Sequence, residues 1–77
     1  MTAAKSERDQ AWLARWMATA CRENSMSQRK RSAIDAHGGL ELAASVARAH
    51  GVHLVLLIDD HGDELVAASS HPFRVLA

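Results

Sequence analysis

The chain has only one cysteine, no tyrosine and no net formal charge across its 77 residues. A lone cysteine, Cys21, cannot form an intramolecular disulfide, so the sequence excludes the disulfide-stapled scaffolds of small secreted domains. The balanced charge argues against a dedicated nucleic-acid-binding arm or an acidic tail. No apolar run approaches the roughly 20 residues of a membrane-spanning helix, and residues 1–6 lack the pattern of a secretory signal. These features predict a cytoplasmic protein without membrane contact.

Length and composition predict one small domain over residues 1–77, with residues 1–5 as a flexible N-terminus. Hydrophobic residues make up 48% of the chain, which is too many for a disordered protein. Charge is distributed unevenly, with seven basic and four acidic residues in 1–40 against two basic and five acidic residues in 41–77. The two halves are therefore expected to attract each other, within one chain or between two copies.

Three helices are predicted in the first 50 residues. Ser6 with Asp9 resembles a capping box and marks the start of the first helix, which ends near residue 23. Ser25 with Gln28 begins a second helix over residues 26–37, and a third spans residues 40–50; glycines follow both. The side chains expected to face the core are Leu13, Trp16, Met17 and Ala20, then Met26, Ala33 and Ile34, then Leu42, Ala43, Val46 and Ala47.

The period of the apolar pattern changes from about 3.6 to 2 near Gly51, which predicts a β-hairpin. Residues 52–58 form a strand that is apolar on both faces, residues 59–64 form an Asp/Gly-rich turn, and residues 65–68 return. Residues 52–70 resemble the paired strands of small sensor or scaffold domains of the PAS, GAF and roadblock kinds, which implies a sheet. The predicted fold is α+β, with three N-terminal helices, a C-terminal antiparallel hairpin and a candidate short third strand after Pro72.

Side chains capable of chemistry are present but match no catalytic or metal-binding pattern. The candidate ligands His50, His53, Asp59, His61 and Asp63 have no known metal-site spacing. Residues 59–64 place glycine too early for a calcium loop and favour a hairpin turn. Cys21 lacks a surrounding nucleophile motif, and neighbours on a strand in residues 69–71 point to opposite faces. The sequence therefore predicts no catalytic residue, metal, cofactor or small-molecule substrate.

A basic cluster, Arg29-Lys30-Arg31, on the predicted second helix is the strongest signal for nucleic-acid contact, since a basic helix can follow phosphates. Residues 32–43 and 47–52 resemble the opening of small phage-repressor helix-turn-helix domains. In that family a polar recognition helix comes next, whereas this chain has the apolar residues 53–58. The alternative interpretation of a solvated helix face remains open.

Two functions from different classes follow. The first is a non-enzymatic protein-interaction module, a homodimeric regulator or inhibitor that binds another protein. The alternative is a nucleic-acid-binding transcriptional regulator that uses Arg29, Lys30 and Arg31. A strand with apolar side chains on both faces has to be covered on both. A chain of 77 residues can cover one face well, so the other is expected to belong to a partner. The candidate partner and dimer interface consists of Leu54, Val55, Leu56, Leu57 and Ile58, with Trp12 and Trp16 as either core or interface residues.

Overall fold

The computed structural model describes residues 2–22 and 26–77, with side chains from residue 5 onward. One strand lies between the first and second helices, and the C-terminal hairpin follows the third helix. The elements in chain order are α1 (Thr2–Arg22), β1 (Ser27–Lys30), α2 (Arg31–Ala36), α3 (Gly39–His50), β2 (His53–Ile58) and β3 (Glu64–Ser69). The predicted α+β class and the predicted C-terminal hairpin are confirmed.

The three strands form an antiparallel sheet with β3 in the centre, in the order β1-β3-β2. Ala68 lies opposite Ser27 on one side and Leu54 on the other, and Val66 lies opposite Arg29 and Leu56. Because strand side chains alternate, these residues share one face. We call it the inner face. The opposite, outer face carries Gln28, Lys30, His53, Val55, Leu57, Leu65, Ala67 and Ser69.

All three helices pack against the inner face, where the hydrophobic core lies. Leu13 and Met17 of α1, Ile34 of α2 and Ala43 of α3 are fully buried. They belong to one cluster with Val66 and Ala68 of β3. The 3.6-residue spacing of apolar residues on α1 and α3 thus produces the helical faces that the sequence predicted. The fold is two layers, helices on one side and a sheet on the other.

The predicted second helix over residues 26–37 is wrong in its first part. Ser27–Lys30 is the edge strand β1, and only Arg31–Ala36 is helical. Met26, expected in the core, is exposed. The segment has no apolar helical stripe of its own, so pairing with β3 decides its conformation. The predicted capping residue Ser25 lies outside the described residues.

The two chain ends also differ from expectation. α1 begins at Thr2 rather than at the predicted capping box, so Ser6 and Asp9 lie inside the helix. The third strand predicted after Pro72 is not formed, because residues 72–77 have no regular structure and are exposed. The second edge of β3 is taken by β1 instead, which leaves the tail no place beside it.

The turn between α2 and α3 depends on Gly38. Its φ is +102°, a left-handed conformation that side-chain-bearing residues rarely adopt. A Cβ at this position would overlap Cδ2 of Leu42, one turn into α3. Gly39 has a φ of +85°, but a Cβ there would meet nothing within 4 Å. A residue with a Cβ at position 38 would therefore have to displace the Leu42 side chain as well as adopt a strained backbone conformation.

Replacing Gly38 with alanine is expected to lower the free energy of unfolding by about 2–3 kcal/mol, through backbone strain and displacement of the Leu42 side chain. Gly39→Ala is the matched control, since it adds similar strain without the overlap, and should cost about 1 kcal/mol. Urea unfolding followed by tryptophan fluorescence measures both. Equal losses for the two variants would show that the Leu42 contact contributes nothing.

Candidate interaction surface

The outer face of the sheet carries a continuous apolar patch. Val55 lies opposite Ala67, and Leu57 lies opposite Leu65, on adjacent strands. Ala67 is fully buried by its neighbours but lies outside the core cluster beneath the helices. Val55, Leu57 and Leu65 are half-buried. The described helices pack on the inner face, so no described helix covers this patch.

A second apolar surface of β2 lies along the edge that pairs with no other described strand. Leu56 and Ile58 belong to the inner face, but 45% of Leu56 and 70% of Ile58 is exposed. The helices cover Leu54, which packs against the core, and do not extend along the strand to its end. The sequence-predicted interface residues from Leu54 to Ile58 are thus divided between two surfaces of one strand.

Trp16 lies in the core, with 3% of its surface exposed. Of the two roles that the sequence left open, core or interface, Trp16 therefore has the core role. Trp12 is half-buried at the margin of the core, with its ring centroid 6.3 Å from that of Trp16. The helical spacing of four residues brought the two rings together as expected, while their depth in the core could not be read from spacing alone.

Trp12 also belongs to a polar cluster that joins α1 to the end of α2. The His37 ring stacks on the Trp12 ring, with centroids 4.0 Å apart and planes 8° from parallel. His37 Nδ1 lies 3.5 Å from Asp9 Oδ1, an ion pair when the imidazole is protonated. Asp9 is 8% exposed, the one charged residue buried within the described range. His37, which follows α2, thus gives Asp9 a partner and Trp12 a stacking surface.

Sequence reasoning missed this cluster, although a signal was present. Asp9 precedes Leu13 by four residues and Trp16 by seven, so it occupies the apolar stripe of α1. A carboxylate on a buried stripe needs a partner, because an unpaired buried charge is costly. The capping-box interpretation of Ser6 and Asp9 hid that requirement. The backbone N–H of His37 also closes the C-terminal end of α2, since it donates to the Ile34 carbonyl at 3.0 Å.

A shallow groove of about 450 Å³ runs beside this cluster. Lys5, Arg8 and Arg15 line it from α1, together with Asp9, Trp12 and His37. The spacing of the three cations places them along one side of the helix. Three basic side chains of α1 thus line one groove, which was not anticipated from the sequence.

The predicted basic helix at residues 29–31 does not exist. Arg29 and Lys30 are neighbours on β1 and therefore point to opposite faces of the sheet. Arg31 begins α2, where its guanidinium donates to Glu64 Oε1 at 3.1 Å and lies 3.6 Å from Asp35 Oδ1. Arg31 links α2 to β3, so the three cations do not present one surface.

The other side chains considered as chemical candidates are exposed or accept local hydrogen bonds from the backbone. Cys21 is exposed near the end of α1. Ser69 Oγ accepts a hydrogen bond from the His71 backbone N–H at 3.1 Å. Asp59 Oδ1 accepts bonds from the backbone N–H groups of His61 and Asp63, both at 2.9 Å. Asp59 therefore organises the hairpin turn, as the turn interpretation predicted. Within the described ranges, no three His, Cys, Asp or Glu residues are grouped to hold a metal ion.

Comparison with known proteins gives no further guide, because no family model, curated protein or solved structure matches the chain. Of the helices described, none combines the length and apolar character needed to cross a membrane. The described part of the chain offers three candidate interaction surfaces: the apolar patch on the sheet, the edge of β2 and the groove along α1.

Replacing His37 with alanine is expected to lower the free energy of unfolding by about 1–3 kcal/mol. The variant loses the ring stack on Trp12 and leaves the Asp9 carboxylate buried without its partner. His50→Ala is the matched control, because His50 is an exposed histidine at the end of α3, and should change stability by less than about 0.5 kcal/mol. Chemical unfolding measures both, and equal effects would remove any special role for the cluster.

Proposed function

We propose that this chain is a non-enzymatic protein-interaction module that self-associates through its C-terminal sheet and acts, as a homodimer, by binding another protein as a regulator or inhibitor. The observation that supports this proposal most directly is the apolar patch on the outer face of the sheet, where the partly exposed Val55, Leu57 and Leu65 surround the buried Ala67. Contiguous exposed apolar patches are uncommon on monomeric proteins and usually mark interaction sites.

The composition of the patch suits a protein partner. It contains aliphatic side chains from two adjacent strands, and Gln28 and Lys30 of β1 border it. An apolar centre with a polar rim is the usual anatomy of a protein interface. Burying apolar area contributes about 25 cal/mol per Å², so covering several half-buried aliphatic side chains supplies a meaningful part of a binding free energy.

The alternative function, nucleic-acid binding, now has a different structural basis. Because Arg29, Lys30 and Arg31 are dispersed, it depends on Lys5, Arg8 and Arg15 along the groove of α1. Phosphate contacts of this kind give affinity that falls steeply with salt. A salt-sensitive mobility shift with unrelated DNA, abolished by Arg8→Gln with Arg15→Gln, would favour this alternative over protein binding.

Changing Leu57 to lysine tests the interaction surface. A charge at the centre of the outer patch should abolish recovery of a specific partner when the tagged chain is incubated with lysate of its native host. The fold should persist, because Leu57 lies outside the core cluster. Ala18→Lys is the control, since Ala18 is exposed on α1. It should retain whatever partner the wild type binds.

Equal recovery of a partner by the wild type and by Leu57→Lys would contradict the proposal, because it would place the interaction elsewhere. Thermal unfolding by circular dichroism should accompany the experiment, so that a lost partner is not confused with a lost fold. The absence of any protein that distinguishes the wild type from both variants, combined with a salt-sensitive DNA shift, would replace this proposal with the alternative.

A further inference from the structure

The two edges of the sheet differ in a way that bears on self-association. β1 has four residues and includes Arg29 and Lys30. β2 has six, all apolar except His53, and contains no proline, glycine, lysine or carboxylate. Proteins that keep an edge unpaired normally shorten it or place charges on it. β1 has such protection and β2 does not, so β2 is the edge suited to pairing with another strand.

The backbone groups that β2 offers can be identified. The Asp59 N–H donates to the Asp63 carbonyl at 2.9 Å, which makes this pair, next to Ile58 and Glu64, a hydrogen-bonded one. Hydrogen-bonded and non-bonded pairs alternate along an antiparallel ladder. His53, Val55 and Leu57 therefore bond to β3. The N–H and C=O groups of Leu54, Leu56 and Ile58 point away from the sheet, along its free edge.

We infer that two copies of this chain pair through β2, antiparallel, about a two-fold axis at Leu56, and so form a continuous six-stranded sheet. The inference deepens the self-association in the proposed function and rests on it. A two-fold axis normal to the sheet keeps both inner faces on the same side. Even-numbered residues of one β2 must therefore face even-numbered residues of the other, and odd-numbered residues must face odd-numbered ones. Centring the pairing on Leu56 lets all three outward residues of each β2 exchange both backbone hydrogen bonds with the other strand.

Side chains in this register are complementary at every position. Leu56 faces its own copy, Leu54 faces Ile58, and Val55 faces Leu57. At each end of the paired strands, His53 of one copy faces Asp59 of the other. Moving the centre by one residue in either direction places Asp59 opposite Gly51 or Val55. Only the register centred on Leu56 pairs every apolar residue of the strand with an apolar residue and the acid with a histidine.

The inner face has a groove where the end of the second strand would lie. The groove has a volume of about 260 Å³, and Ala44, Ala47, Arg48, Val52, His53 and Leu54 line it. Ile58 of the second copy stands opposite Leu54 on this same face, so its exposed side chain enters the groove. The pairing thus covers Leu56 and Ile58, the two large apolar side chains that the helices leave exposed on the sheet.

Disulfide trapping tests the register. In a Cys21→Ser background, Leu56→Cys should give a covalent dimer on mild oxidation, because paired Cα atoms about 5.5 Å apart lie within disulfide reach. Ile58→Cys is the matched control, since its own copy lies four residues further along the strand, about 13 Å away. Cross-linking of Ile58→Cys in preference to Leu56→Cys, or of Leu65→Cys on the outer face alone, would overturn the register.

A proline at the edge tests the mode of pairing. Leu56→Pro removes an N–H that β3 does not use, so the chain should stay folded yet sediment as a monomer, while Leu56→Val remains a dimer. Leu56→Lys supplies a second edge variant should the proline unfold the chain. A monomeric wild type at roughly tens of micromolar would overturn self-association itself. A dimeric wild type whose folded Leu56→Pro or Leu56→Lys variant stays dimeric would overturn only the edge pairing.

Discussion

The fold depends on satisfying both edges of the central strand β3. Val66, Ala67 and Ala68 are almost completely buried, so water cannot reach their backbone groups, and each N–H and C=O needs a partner in the protein. β2 supplies partners on one side through a short turn. The other side takes β1, which lies more than 30 residues earlier in the chain. That single long-range pairing draws the polar segment after α1 into the sheet and fixes where α2 begins.

A second constraint follows from the position of α1. The helix must place Leu13, Trp16, Met17 and Ala20 on the sheet, and the same stripe carries Asp9 into a buried position. The His37 side chain, which follows α2, is the partner of the buried Asp9. Gly38 then turns the chain so that α3 can lie beside α1. The partner of Asp9 and the backbone turn therefore occupy consecutive residues, so the junction of α2 and α3 is constrained by both local sequence and tertiary packing.

These relations explain what the sequence could and could not predict. α1, α3 and the hairpin follow from strong periodicity and from glycine and Asp/Gly punctuation, so their class and approximate limits were predicted. β1 could not be predicted from its residues, because Gln28, Arg29 and Lys30 are good helix formers and only pairing with β3 selects a strand. The contact of His37 with Asp9 joins distant positions, and no local pattern encodes it. Of the candidate interface, the apolar strand was identified, but its division into an outer face and a free edge required the register.

The free edge and the outer face of β2, which no described helix covers, differ in what they offer a partner. The edge offers backbone groups with a fixed spacing and an apolar order that matches itself when reversed, which favours a second copy of the same strand. The outer face offers no free backbone groups, only aliphatic side chains, and places fewer constraints on what covers it. Pairing at the edge would set two outer patches side by side in one sheet without covering either. A chain of 77 residues would thus gain, by self-association, a binding surface broader than its own three strands provide, and the outer face would remain available for another protein.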